Sequence, residues 1–121
     1  MKKIALIVGL AATLFATAAN AMTVQGFLTT ASRIPQNPTA LLRSDTRRLM
    51  REFEGAVRTV RAEQSTAQQA GRRSATCMPP KVSFSPNAIL GRFNAIPASR
   101  RSISVTQAMR EWMAERYPCP A

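Results

Sequence analysis

The two cysteines past the first 21 residues limit what this chain can fold into more than any other feature. Cys77 lies in a loop-like stretch, and Cys119 sits between Pro118 and Pro120 at the end of the sequence. Two such cysteines in an oxidising compartment predict a disulfide. The ring it closes holds about 43 residues, for which the chain-entropy model gives ~4 kcal/mol before any native strain. A stabilisation of that size is comparable with the whole net stability of a small domain. Zinc is a poor alternative, since two thiolates fill half a tetrahedron and the chain has no histidine. Cys119 therefore reads as a staple for the last helix, which Pro118 ends.

The oxidising compartment is itself an expectation from the first residues. Lys2 and Lys3 precede an uncharged apolar run from Ile4 to about Ala18, and "AANAM" places Ala19 and Ala21 at the small positions of an A-x-A cleavage site. These are the three parts of a secretory signal peptide, with cleavage expected between Ala21 and Met22. The apolar run is shorter than the roughly 20 residues a spanning helix needs. No cysteine follows the cut, so no lipid anchor is expected and no stable membrane anchor remains after cleavage. A compact bacterial-type leader predicts the periplasm. The domain organisation is then a cleavable segment, 1–21, and one helical domain, 22–121.

Removing Lys2 and Lys3 from 17 basic and 6 acidic residues leaves a net charge of +9. Fourteen of the cations are arginine, and Lys81 is the one remaining lysine. Arginine stays charged and forms two-pronged contacts with carboxylates and phosphates. Such a field draws in anionic partners. Nucleic acid is not the expected one, because an exported protein rarely meets it and the aromatics do not interleave with the arginines as a stacking platform requires. An acidic protein or the anionic envelope fits better.

Along the chain the apolar residues keep helical spacing. In "TVQGFLTTASR", Val24, Phe27, Leu28 and Ala31 form one stripe behind an N-cap at Thr23. Ile34-Pro35 stops it. A long proline-free helix follows, starting near Thr39 or Asp45 and reaching Ala70, with a break near Arg43 and a restart capped by Ser44 or Asp45. Its stripe is Leu42, Leu49, Phe53, Val57 and Val60, extended by Ala56 and Ala67. Gly55, which costs about 1 kcal/mol relative to alanine inside a helix, reads as a close-packing position. Arg48–Glu52 and Glu54–Arg58 have i,i+4 spacing. Arg47, Arg51, Arg58 and Arg61 line the polar face, which reads either as solvated surface or as the docking face for an acidic partner.

"GRRSATCMPP" is a loop, and "KVSFS" is too short to assign. Ser85 and Pro86 start a third helix with Ile89, Leu90, Phe93 and Ile96 on its stripe, ending at Pro97. "ASRRS" is a basic connector that adds Arg100 and Arg101 to the candidate partner-binding residues. Ser104 and Gln107 have capping-box spacing, and Val105, Met109, Trp112 and Met113 line the last helix. The fold class is all-α: a small single-domain bundle of about four helices, stapled by Cys77–Cys119.

No reaction centre is legible. Without histidine there is no Ser-His or Cys-His pair, and the six carboxylates are scattered among arginines. No Gly-rich phosphate loop occurs. The chain is expected to be a binding or structural module and not an enzyme, with no catalytic residue, cofactor or metal.

Residues 77–121 carry a further pattern. A cysteine is closely followed by proline (Cys77, Pro79), then comes a helix, a short connector at Ile96-Pro97, and an amphipathic last helix bearing Trp112 that ends in Tyr117-Pro118-Cys119. This segment resembles the C-terminal half of the Rap/Tai family, periplasmic immunity proteins against type VI secretion amidase effectors. The N-terminal half diverges, lacking the family's further cysteines. The resemblance implies a small helical homodimer that plugs the cleft of a peptidoglycan-cleaving, cysteine-dependent amidase, and the charge balance adds that this partner is acidic. The alternative is an arginine-rich periplasmic helical module that binds anionic envelope components or an unrelated acidic protein.

Overall fold

A computed structural model describes residues 21–120. Of the expected leader only Ala21 falls within that range. The described residues form four α-helices: α1 (Val24–Ala31), α2 (Ser44–Gln69), α3 (Pro86–Asn94) and α4 (Val105–Arg116). Two 3-10 turns, Pro38–Leu42 and Ala98–Arg100, lie before α2 and α4. No strand occurs among these residues beyond one isolated antiparallel bridge between Thr23 and Ser104. The chain is an all-α domain.

Local chemistry sets most helix ends. Thr23, Ser85 and Ser104 each accept a hydrogen bond from a first-turn amide, at Gly26, Ala88 and Gln107 respectively. Further first-turn amides of α1 and α4 are satisfied across the pair: Val24 and Gln25 donate to the carbonyls of Ile103 and Arg101, and Val105 donates to that of Met22. These bonds pin Met22 and Thr23 to the start of α4. Helix α2 ends where Gly71 takes φ 68°, a left-handed conformation that glycine reaches without steric cost. There Arg72 N–H donates to Ala67 O and Gly71 N–H to Gln68 O, which closes a Schellman motif.

The core forms where α2 packs along α4 and α1 packs on α2, α3 and α4. Leu49, Ala56 and Val60 of α2 are buried with Val105, Ala108, Met109, Trp112 and Met113 of α4. Phe27 meets Phe93 edge-on at 5.0 Å between ring centroids, joining α1 to α3. Phe84 stands between Phe53 at 5.5 Å and Trp112 at 4.8 Å, so the segment after the loop bridges α2 and α4. "KVSFS" is irregular, yet its burial alternates. Val82 and Phe84 are half-buried, whereas Lys81, Ser83 and Ser85 are exposed.

Cys77 and Cys119 are joined, with Cα atoms 4.9 Å apart. The loop carrying Cys77 is also held to α2. Gln64 Oε1 accepts from Thr76 Oγ1 at 3.1 Å and from Met78 N–H at 2.7 Å, and Arg61 Nη1 donates to Pro79 O at 2.9 Å. On the other side, Cys77 N–H donates to Tyr117 O at 2.8 Å. The disulfide thus closes a junction that α2, the loop and the end of α4 all share.

Several expectations need correction. Leu42 is 77 % exposed and no part of the core stripe, because Arg43 is extended and separates the 3-10 turn from α2, so the helical phase does not carry across. Neither Ser44 nor Asp45 caps α2: Ser44 is already helical and Arg43 occupies the N-cap with no side-chain bond. A Cβ at Gly55 would meet only Arg58 Nη2 at 3.8 Å, so no neighbour packs closely there. Arg48–Glu52 and Glu54–Arg58 form no ion pair. Gln107 does not complete the capping box, since its side chain bonds Glu111 and Arg110 instead.

The carboxylates pair mainly across elements. Glu63 of α2 takes Arg110 of α4 in a two-pronged contact, with Nε to Oε1 at 2.8 Å and Nη2 to Oε2 at 2.9 Å. The Arg110 hydrogen bond holds the Glu63 carboxyl below its usual range. Arg92 does the same for Glu115.

Three outcomes follow from this packing. Replacing Cys119 by serine should cost up to about 4 kcal/mol, read as a lower urea midpoint that matches the reduced wild type. Gly55→Ala should raise stability by about 0.5–1 kcal/mol and Tm by a few degrees, because space is open and the helix gains propensity. A carboxyl with a lowered folded-state pKa adds stability above its unfolded pKa, near 4.5, and loses it as pH falls through the folded one. Glu63→Gln should therefore cost under about 1 kcal/mol at pH 7, both partners being partly exposed, and the gap to wild type should narrow below pH 4.5 in acid denaturation curves.

Candidate partner-binding surface

The six arginines singled out from sequence separate into two groups. Arg61 is half-buried and bonded to Pro79 O; Arg100 pairs with Glu111 at 3.0 Å; Arg101 donates to the carbonyls of Ile96 and Asn94, both at 3.0 Å. These three hold the fold's own segments in place. Arg47, Arg51 and Arg58 are exposed, and among the described residues none of them is ion-paired. At 3.6 residues per turn they fall within about 40° of one another around α2, along about 16 Å of its length.

Internal pairing matches four carboxylates with four arginines, so the net charge is unchanged but the unpaired groups are predominantly cationic. Asp45, Glu63, Glu111 and Glu115 all face arginines within 4.0 Å, so Glu52 and Glu54 are the carboxylates left unpaired among the described residues. Arg116 is drawn to rings instead, 5.5 Å from the centroids of both Phe84 and Tyr117. The exposed arginines of α2 have no such partner.

Beside that stripe lies an open groove of about 750 Å³ between α2, α3 and the segment after α1. Phe27, Leu49, Phe53, Val57, Phe84 and Leu90 line its apolar floor. Polar groups at its edge include Asn37, Thr46, Glu54, Arg58 and Asn87. Two large apolar side chains on its border face solvent, Leu41 at 73 % and Met50 at 52 % exposure. Thr46 Oγ1 is shielded from solvent and has no hydrogen-bond partner.

Sequence reasoning found the arginine stripe and missed the groove, because it assigned Phe53 and Val57 wholly to the core. The available signal was Met50. With it, the apolar arc of α2 from Ala56 to Met50 spans about 120°, wider than the arc one neighbouring helix covers.

The described residues hold no group of three or more His, Cys, Asp or Glu side chains that could bind a metal ion, and no helix long and apolar enough to cross a membrane. What they do present is an apolar concavity bordered by fixed positive charge. No protein-family model, no curated protein and no solved structure matches this chain.

Proposed function

We propose that this chain is a periplasmic immunity protein that binds and neutralises a peptidoglycan amidase delivered by type VI secretion, acting as an inhibitor and not as an enzyme. The observation that carries the reading is the unit formed by residues 77–119. The residues behind the Rap/Tai resemblance come together there: Cys77 is bonded to Cys119 and to the Tyr117 carbonyl, Trp112 is buried beside Phe84, and Ile96-Pro97 turns the chain between α3 and α4. Disulfides persist in oxidising compartments, and one that closes a long loop stabilises a small exported domain of the kind this reading requires. The exposed, unpaired arginines of α2 support an acidic partner.

Co-expression tests the reading. Cells exporting a type VI amidase to the periplasm should lyse, and co-export of this chain should prevent lysis and yield a complex on size exclusion. Unchanged lysis and no complex across the amidases encoded beside it would remove the proposal. Binding to anionic vesicles in place of any amidase would favour an envelope-binding module.

A further inference from the structure

The uncovered part of α2 has the dimensions and charge of a helix-binding site. Leu49, Ala56 and Val60 are buried, but Phe53 and Val57 are only half-buried and Met50 lies open. Helix α3 does not close this side, since it packs chiefly on α1. From Leu49 to Val57 is about 12 Å of helix, close to the ~10 Å between the first and last anchors of an i, i+4, i+7 stripe. Arg47, Arg51 and Arg58 run beside that length, exposed and without ion partners.

We propose that this groove seats one amphipathic helix of a partner protein, its apolar stripe on the α2 floor and its acidic flank against Arg47, Arg51 and Arg58. The inference rests on the reading of the chain as a protein-binding module. A second copy fits the groove poorly. Four of the six carboxylates are held in pairs with arginines, and the two left over, Glu52 and Glu54, lie on α2 itself, so a copy has no acidic flank to offer. A lipid surface could reach Leu41 and Met50 on the border but not the floor of Phe27, Leu49 and Phe53 recessed behind them, which suits the inserted stripe of a helix better.

The test uses protein purified from expression of the full chain under oxidising conditions, labelled with 15N. The probe is a capped synthetic helix of about 15 residues with leucines at i, i+4 and i+7 and glutamates along one flank. A twin carries lysines in their place. The acidic helix should bind saturably, shift the amides around Met50, Phe53 and Asn87, and bind at least about tenfold tighter than the twin, with the difference shrinking in salt. Met50→Asp should abolish binding with helicity and the disulfide intact; reversing Arg47, Arg51 and Arg58 to glutamate should invert the preference between twins. Equal binding of the twins, or shifts confined to another face, would overturn the proposal without recourse to any variant. So would a dimer in sedimentation that Met50→Asp dissociates, or groove shifts seen only with phosphatidylglycerol vesicles. The broader reading fails separately. If wild type and Met50→Asp neutralise an amidase equally, the groove proposal falls and the inhibitor stands. Should the acidic helix bind while no amidase is neutralised, the groove stands and the inhibitor falls.

Discussion

The junction around Cys77 holds together the part of the chain that helix packing alone secures least. Residues 71–85 contain no helix, and α4 is only 12 residues long. Both would have to be ordered at the expense of backbone entropy, about 1–2 kcal/mol per residue, by a domain of limited size. Cys77–Cys119 ties this loop to the end of α4 in the unfolded chain as well as the folded one, so the cross-linked chain has less freedom to lose. Gln64 and Arg61 then fix the same loop to α2 through Thr76, Met78 and Pro79. The covalent bond lowers the entropy cost, and the hydrogen bonds define the geometry.

That geometry also decides where charge ends up. With α4 seated on α2, Arg110 comes within reach of Glu63, and Arg92 of α3 reaches Glu115 of α4. Surface pairs of this kind stabilise little, typically 0–1 kcal/mol. Their larger effect is on what remains: four carboxylates are withdrawn into pairs, and the solvent side of α2 is left with Arg47, Arg51 and Arg58 in no ion pair and Glu54 as the acid among them. An excess of basic residues in composition thereby becomes a localised electropositive stripe, the kind of feature that steers encounter with an acidic surface.

How much of this could be read from the sequence followed the range of the interactions. Thr23, Ser85 and Ser104 were legible as caps because a cap needs only its own next three residues. The buried stripe of α4 was legible because Val105, Met109, Trp112 and Met113 repeat within one uninterrupted helix. Leu42 was misassigned because periodicity extrapolates a straight helix, whereas extended Arg43 breaks the phase. The structural duties of Arg61, Arg100 and Arg101 were invisible, since each is defined by a carbonyl or carboxylate on another segment. Arg47, Arg51 and Arg58 could be placed on one exposed face for the opposite reason: nothing outside their own helix engages them.

The open side of α2 follows from the same connectivity that secures its closed side. Because Met78 and Pro79 are bonded to Gln64 and Arg61, the chain enters the segment before α3 next to the C-terminal half of α2. It must then run back along α2, and Phe84 marks the way by wedging between Phe53 and Trp112. By the time Ser85 starts α3, the helix is directed over α1, where Phe93 meets Phe27, and away from Leu49 and Met50. A longer loop could have let α3 lie down on α2 and bury that surface. With the loop pinned at Cys77, the fold leaves one helix with an apolar flank that no segment among residues 21–120 covers, beside arginines that form no ion pair there.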